Sequence, residues 1–276
     1  MAEQEINVST AEKREKVYKT IDDLTLLDDN LMEHVFAQNI PATELLLRII
    51  LEDDSIKVIS SKGQQELVGI VGNRKISLDI LAVDGTGRYF DVEVQRNTEG
   101  THVRRARFHS SMVDSHMLKE NQKFKELLDS YVIFICEKDK FGEKLPIYHV
   151  DRVVRETKKL FDDGSHIVYV NGNYNGDDPI GKLVHDFRCK ESKDMYYQEL
   201  ADGVKHFKET KEGRDIMCDA FEKLAEEVAE ERIEKDRIQI FISMIEDGMT
   251  KEMAQKYAKI TDEAVEKALE MMKATV

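Results

Sequence analysis

The chain has 276 residues, 41 Lys and Arg against 55 Asp and Glu, a formal charge of −14, and 41% hydrophobic but only 7% aromatic residues. The acidic excess excludes a protein that coats itself with nucleic acid through bulk charge, because such binding needs basic side chains to neutralise phosphates. The length exceeds the roughly 100–200 residues of a typical domain, so we expect one sizeable core with an appendage.

Membrane insertion, secretion and disulfide-based architectures are also disfavoured. The longest apolar stretch, 45–51, is far shorter than the ~20 residues that span a bilayer, and the N-terminus lacks a signal-peptide core. We therefore predict a cytoplasmic protein without membrane contact. Cys136, Cys189 and Cys218 are odd in number and widely spaced, which supports neither a disulfide framework nor a zinc knuckle. They are expected to be small buried residues or bystanders.

The first predicted elements are two helices followed by a strand. Apolar residues recur at helical spacing over 31–36 and 42–50, and the Asp-Asp-Asn segment 28–30 offers an N-cap for the first helix. From Ile56 the pattern alternates, which is typical of a strand, and the Asn-Arg pair 73–74 is predicted as the turn that leads to the next strand.

A β-hairpin follows, and it is the clearest element of the chain. Apolar and polar residues alternate over 76–82 and again over 90–94. The segment 85–87, Gly-Thr-Gly, supplies glycines that tolerate the positive φ of a tight turn. A three-residue loop at this point places Asp79 directly opposite Glu93.

A further helix and three strands complete the predicted α/β body. The helix is predicted over roughly 103–128, and the continuously apolar run 131–136 indicates a strand covered on both faces, as in a mixed sheet flanked by helices. Further strands are predicted at 147–150 and 167–170.

Beyond Asp194 only helical patterns remain, with breaks at Gly213 and Gly248. The predicted helices of this part are 196–208, 215–234, 238–246, 250–259 and 262–273. We therefore predict one domain over 24–205 and an all-helical tail over 206–276.

The hairpin brings two acids together. Asp79 and Glu93 lie on one face of their strands, and directly opposed positions place their Cβ atoms about 5 Å apart. Like charges at that distance are destabilising, so solvent screens them, one carboxylate takes a proton, or a cation lies between them. Mg²⁺ commonly binds one or two protein carboxylates together with water and phosphate, and it suits this pair. An ordinary solvated strand face is the alternative.

These residues resemble the core of PD-(D/E)xK nucleases, in the form found in the recombination-promoting nuclease/transposase family. Its pattern is an Asp on one strand, a Glu-x-Gln or Glu-x-Lys on the next, and then a helix with an Arg-rich start. Asp79, Glu93 and Gln95 match that pattern position by position. The likeness covers about residues 24–200, in blocks that follow in order: 77–84, 87–95, 105–112, 145–149, 163–172 and 185–187.

The resemblance implies a restriction-endonuclease-like mixed sheet and a metal-dependent DNA endonuclease linked to recombination or transposition. It implies that Asp79, Glu93 and the carbonyl group of Val94 hold Mg²⁺ or Mn²⁺, with Asp79, Glu93 and Gln95 as catalytic residues. Gln95 stands where many relatives have Lys, so an Arg of the following helix is expected to supply the missing positive charge. Glu44 is the candidate for an additional metal ligand from an early helix, and a plain exposed carboxylate is the alternative for it.

DNA is expected to contact the segment 102–125, a local exception to the acidic composition with six basic and two acidic residues. The candidate DNA-binding residues are Arg104, Arg105, Arg107 and Lys119. His109 and His116 are too far apart in sequence to share a metal in the way an i, i+4 pair does, so we interpret them as packing or solvated residues.

The tail favours self-association or the assembly of a complex with substrate over DNA reading. The segment 219–236 holds eight acids against three basic residues, with apolar residues at helical spacing. The helices 250–259 and 262–273 form a helix–turn–helix-like pair with Thr250 and Thr261 as N-caps, but acids at the start of the second helix would repel phosphates. We predict a homo-oligomer formed through the tail. The alternative to an enzyme is a catalytically inactive nuclease-fold protein that acts as a DNA-binding or protein-assembly module.

Overall fold

A computed structural model of the chain describes residues 10–67, 76–96 and 100–274. The predicted turn at 73–74 lies outside these described residues. The chain divides into two compact units, Met1–Met217 and Cys218–Val276. Among the helices that are described, none is both long enough and apolar enough to cross a bilayer.

The first unit combines helices and strands, whereas the second is helical. The strands are β1 Val58–Leu67, β2 Ile76–Asp84, β3 Tyr89–Gln95, β4 Ser130–Cys136, β5 Ile147–Val150 and β6 Ser165–Asn171. The helices are α1 Thr10–Asp23, α2 Asp29–Phe36, α3 Ile40–Leu51, α4 Val103–Met117, α5 Pro179–Arg188, α6 Gln198–Glu209, α7 Lys211–Glu246, α8 Lys251–Ala258 and α9 Asp262–Ala274.

The six strands form one mixed sheet in the order β1-β2-β3-β4-β6-β5. The β1/β2 and β2/β3 pairs are antiparallel, whereas β4 runs parallel to both β3 and β6, and β5 closes the sheet antiparallel to β6. Helix α4 connects the parallel strands β3 and β4, as such a crossover requires. The predicted α/β class, with a mixed sheet flanked by helices and a helical C-terminus, is confirmed.

The predicted hairpin has the predicted register. Ile80 pairs with Val92 across β2 and β3, and the pairing continues to Val83 and Tyr89. Gly87 adopts a φ of +89° in the connecting turn, where a residue with a side chain would be strained. The buried carboxylate of Asp84 holds the turn, because it accepts hydrogen bonds from the N–H groups of Thr86 and Arg88 at 2.9 and 3.0 Å.

Helix α4 covers the face of the sheet that carries the candidate site. Its Ala106 is packed with Val132, Phe134 and Cys136 of β4 and Tyr169 of β6. Glu93 is in register with Phe134 in the parallel β3/β4 pair, so their side chains lie on the same face. The acids of β3 therefore point towards α4.

The helix after the hairpin is shorter than predicted. It was expected to extend to residue 128, but α4 ends at Met117, and only a 3₁₀ turn at Phe124–Glu126 follows. The backbone becomes extended at Leu118, and the N–H group of Lys119 donates to the side chain of Gln122 at 2.7 Å instead of to a helical carbonyl. A local side-chain bond of this kind competes with helix continuation.

The predicted break between the helices 196–208 and 215–234 lies at Thr210, between α6 and α7, and not at Gly213. The predicted helices 215–234 and 238–246 are one continuous helix, α7. Gly213 lies in the first turn, where its N–H group donates to the Thr210 hydroxyl at 3.1 Å. An added Cβ would lie 2.1 Å from the His206 carbonyl oxygen. The glycine therefore allows a close backbone approach rather than ending a helix.

The second unit has a small core of its own. The C-terminal part of α7 packs with α8 and α9 through eight buried side chains, Ile238, Phe241, Ile242, Ala254, Ala258, Ala264, Val265 and Ala268. The two predicted N-caps are confirmed: the hydroxyl of Thr250 accepts from the N–H of Met253 at 3.4 Å, and that of Thr261 accepts from the N–H of Ala264 at 3.2 Å.

Candidate active site

Asp79 and Glu93 meet where the β2/β3 ladder gives way to side-chain bonds. One position beyond the Ile80–Val92 pair, the N–H group of Asp79 donates to Glu93 Oε1 at 3.0 Å. The N–H group of Val94 donates in return to Asp79 Oδ2 at 2.9 Å. Each carboxylate thus holds the backbone of the opposite strand, and the two acids are fixed at one point of the sheet.

Arg105 of α4 reaches into this acid pair. Its Nη2 donates to Glu93 Oε2 at 2.7 Å, and its Nη1 donates to Gln95 Oε1 at 3.4 Å. Glu93 is fully buried, whereas the Arg105 side chain is 37% exposed. The guanidinium group therefore lies at the mouth of the site, where it contacts both residues of the Glu-x-Gln motif.

A buried histidine lies behind the arginine. The Nε of Arg105 donates to His109 Nε2 at 3.2 Å, and His109 Nδ1 lies 2.8 Å from Asp91 Oδ2. Because Nε2 accepts, the proton is assigned to Nδ1, which donates to Asp91. Burial lowers the pKa of His109, in agreement with a neutral ring. The residue thus belongs to the site, although its sequence spacing indicated a packing or solvated role.

The site contains more negative charge than its positive groups balance. Burial and then the charge of Glu93 raise the pKa of Asp79 to about 7, and burial and then Asp91 raise the pKa of Glu93 to about 7. Burial also raises the pKa of Asp91 well above its usual range. Within the described part of the chain, the charge of Arg105 opposes the rise in pKa at all three carboxyl groups but does not offset it. Without a bound metal ion, burial and mutual repulsion keep these carboxyl groups partly protonated at neutral pH.

The donor atoms suit a hard divalent cation. The carboxylate oxygens of Asp79 and Glu93 are the ligands that Mg²⁺ and Mn²⁺ prefer. Asp91 Oδ1 is buried and has no hydrogen-bond partner within the described part of the chain. One donor atom from each of Asp91, Glu93 and His109 can be chosen so that all three lie within 4.8 Å of one another. The residues present therefore fit a divalent metal.

Asp29 lies close enough to Asp79 for its charge to act on that carboxyl group, which sequence reasoning did not predict. It is the first residue of α2, and its charge contributes to the raised pKa of Asp79. Burial, and then the charge of Asp28, raise the pKa of Asp29 itself, while Arg96 and Arg105 oppose that rise. The segment 28–30 indicated only an N-cap, but the Asp28 carboxylate bonds Thr25 and Arg96 instead of capping the helix.

Glu44 lies in a different environment from the acid pair. Its Oε2 accepts from the N–H group of Val58 at 2.9 Å, and its Oε1 is bonded to Arg48 of the same helix. Lys57 approaches the same oxygen at 3.5 Å. Within the described residues, these contacts tie α3 to the start of β1 rather than to Asp79.

The candidate DNA-binding residues are divided between two faces of α4. Arg105 lies on the inner face, one residue before the buried Ala106, whereas Arg104 and Arg107 are exposed. Lys119 is exposed as well, but it lies two residues beyond the end of the helix. His116 is exposed near the C-terminal end of α4. The outer face of α4 is therefore basic, while its inner face belongs to the acid site.

A protein-family model described as PD-(D/E)XK nuclease family transposase matches residues 33–174, just over half of the chain. The matched region contains β1 to β6 and α4, and therefore both strands of the acid pair and the helix that carries Arg105. No curated protein and no solved structure gives a significant match.

Proposed function

The chain belongs to the PD-(D/E)XK nuclease family transposases, and from that membership we propose that it is a divalent-metal-dependent DNA endonuclease that acts in recombination or transposition. The observation that carries the proposal is the reciprocal bonding of Asp79 and Glu93 at one end of the hairpin ladder. That arrangement brings two carboxylates and the Val94 backbone together at one point of the sheet. This point lies within the part of the chain that matches the nuclease family.

In this proposal Asp79, Glu93 and the carbonyl group of Val94 hold Mg²⁺ or Mn²⁺. When bound, the ion supplies Lewis-acid charge to the scissile phosphate and the leaving oxygen, and lowers the pKa of a water molecule. The bonds to the backbone of Asp79 and Val94 hold the two carboxylates in place before any ligand arrives. We infer that Asp29, whose charge acts on Asp79, completes the acid cluster in place of Glu44.

Gln95 and Arg105 share the role that a lysine has in many relatives. The Gln95 Oε1 accepts from Arg105, and the NH₂ group of the amide, for which the described residues supply no partner, can donate to a water molecule or a phosphate oxygen. Arg105 is positioned by Glu93 and His109 and is exposed enough to meet a phosphate at the mouth of the site. A guanidinium group there stabilises charge that develops on the phosphate during cleavage.

The DNA backbone is proposed to lie over the outer face of α4. Arg104 and Arg107 are exposed there, and Lys119 follows the helix. These side chains are close in sequence to Arg105, so a strand bound across them is led towards the acid pair. Because the net charge of the chain is −14, binding is expected to be confined to this patch and sensitive to salt.

Plasmid relaxation by the purified protein, with and without Mg²⁺, tests the proposal. The competing function, an inactive DNA-binding or assembly module, is supported by one observation. Arg105 donates to Glu93 Oε2, an oxygen that a metal ion would need in an active enzyme. Metal-dependent nicking supports the endonuclease, whereas DNA binding without any cleavage in Mg²⁺ or Mn²⁺ supports the inactive module.

We also propose that the tail forms a homo-oligomer. Three apolar side chains of α7, Leu224, Val228 and Ile233, are 41%, 58% and 49% exposed in a segment rich in charge. Their burial against a second copy would remove apolar surface from water. Light scattering of the full chain and of Val228→Glu tests this, since the variant is expected to shift a dimer to monomer. A monomeric parent protein would contradict it.

A further inference from the structure

A second cluster of metal-binding side chains lies at the C-terminal end of α5, outside the acid site. His185 Nδ1 lies 3.2 Å from Asp186 Oδ1 and 3.4 Å from Cys189 Sγ. The ligand atoms of the three residues all lie within 4.8 Å of one another. The cluster lies beyond residues 33–174, which the family model matches, although His185 and Asp186 fall within the block 185–187 of the wider likeness.

The two separations measured from His185 Nδ1 agree with a tetrahedral zinc site, and the third ligand pair lies within 4.8 Å. Zn–N and Zn–O bonds of about 2.0–2.1 Å and Zn–S bonds of about 2.3 Å place neighbouring ligand atoms about 3.3–3.8 Å apart in a tetrahedron. The observed His185–Asp186 and His185–Cys189 separations are 3.2 and 3.4 Å. His185 and Cys189 are four residues apart, the spacing that places two side chains on one helix face.

The surroundings hold the carboxylate in position and leave the imidazole accessible. Asp186 is fully buried, and its two oxygens accept from the N–H groups of Tyr196 and Tyr197 at 2.8 Å each. Its side chain is therefore fixed before any ion binds. His185 also lines a cavity of about 150 Å³ together with Lys182 and Tyr196, so its imidazole is open to solvent.

We propose that His185, Asp186 and Cys189 bind Zn²⁺, or a transition-metal ion of similar preference, at a site separate from the acid pair. One imidazole, one carboxylate and one thiolate form a donor set that zinc accepts and that Mg²⁺ does not favour. The fourth position belongs to water or to the carbonyl oxygen of Asp194, which lies 3.7 Å from Cys189 Sγ. The ion would join the end of α5 to the segment that contains Tyr196 and Tyr197.

Binding requires the Cys189 thiol to lose its proton. Zn²⁺ forms a bond to sulfur as the S–H bond breaks, and one proton goes to solvent. Because binding releases this proton, the affinity should rise with pH.

Cobalt titration of the untagged full-length protein tests this site, because Co²⁺ bound to a thiolate gives a charge-transfer absorption band. We expect the band to saturate at one equivalent, to be lost when zinc is added, and to be absent in Cys189→Ser. His185→Ala should weaken cobalt binding about ten-fold or more. His116→Ala, which replaces an exposed histidine elsewhere, should leave the titration unchanged.

Two further measurements distinguish the loss of the zinc site from the loss of folding and from effects at the acid pair. Zinc should raise the Tm of the parent protein but not that of Cys189→Ser, whose circular dichroism spectrum shows whether it is folded. Asp79→Asn should retain the cobalt band in full. A parent protein without the band, a band retained in Cys189→Ser, or a band lost in Asp79→Asn would each overturn the proposal.

Discussion

Asp79 and Glu93 are joined by a reciprocal pair of hydrogen bonds, in which each carboxylate accepts from the backbone of the other strand, at 3.0 Å from Asp79 N–H and 2.9 Å from Val94 N–H. The ladder of the hairpin is thus continued by side chains at the point where the acids lie. These bonds fix both carboxylates in the absence of metal and lower their pKa values, but burial and neighbouring negative charge outweigh them and raise both pKa values to about 7. The site therefore holds its carboxylates in fixed positions and carries excess negative charge. A bound divalent ion would neutralise that charge.

Replacement of Arg105 shows whether its guanidinium group assists cleavage or blocks the carboxylate of Glu93. If Arg105 stabilises the phosphate in the transition state, Arg105→Ala should lower kcat for plasmid nicking about 100-fold or more, and Arg105→Lys should recover part of it. The matched control is Arg104→Ala, which changes the exposed neighbour on the same helix. Faster nicking by Arg105→Ala would instead show that the arginine occupies Glu93 in an inactive state.

The raised pKa values predict how pH acts on the metal-free protein. Since the pKa of Asp79 and Glu93 is about 7 in the folded protein and about 4 when unfolded, their contribution to stability is complete below about pH 4 and is lost as pH rises to about 7. In EDTA, the Tm of the parent protein should therefore fall from pH 5 to 8 relative to that of Asp79→Asn. Mg²⁺ should remove this difference. Parallel pH profiles of the two proteins in EDTA would contradict the assignment.

Asp29 and Glu44 form a matched pair of helix acids with different expected effects. Asp29→Asn should weaken Mg²⁺ binding, measured by calorimetry, about 10-fold or more, because it removes a charge that acts on Asp79. Glu44→Gln should lower the free energy of unfolding by about 1–3 kcal/mol, because it weakens the bonds to Arg48 and Val58. Loss of Mg²⁺ affinity in Glu44→Gln alone would restore Glu44 as the metal ligand.

The outer face of α4 should determine the salt dependence of DNA binding. Each phosphate contact adds about 0.9 to the slope of log Kd against log salt concentration, so Arg104→Ala with Arg107→Ala should lower that slope by roughly 2. Arg155→Ala, which changes an exposed arginine of the segment between β5 and β6, is the control. Fluorescence anisotropy at several salt concentrations gives the slope. An unchanged slope in the double variant would place the DNA elsewhere.

The acid pair could be predicted from the sequence because local rules decide it. The three-residue turn 85–87 sets the register of the hairpin, and strand alternation sets the face on which Asp79 and Glu93 lie. The Glu-x-Gln motif and the Arg-rich helix start then indicate the chemistry. None of these steps requires knowledge of which distant segments pack together.

The remaining features depend on tertiary packing. His109 has no informative spacing in the sequence, and it belongs to the site only because α4 is laid over β3, next to Asp91. Asp29 joins the cluster because α2 begins close to the end of the hairpin, although its position in the chain indicates a cap. The premature end of α4 at Met117 likewise depends on a side-chain bond that no periodicity records.

The most direct test of the central claim is plasmid nicking by the parent protein and by Asp79→Asn, measured side by side with Mg²⁺ and with EDTA. Asparagine keeps an oxygen that can accept from the N–H group of Val94, so the hairpin should remain intact while the charge that holds the metal is lost. The expected result is Mg²⁺-dependent nicking by the parent protein, reduced about 100-fold or more in the variant, with equal Tm values in Mg²⁺. Equal nicking by the two proteins, or equal nicking in EDTA, would contradict a metal-dependent nuclease centred on Asp79 and Glu93.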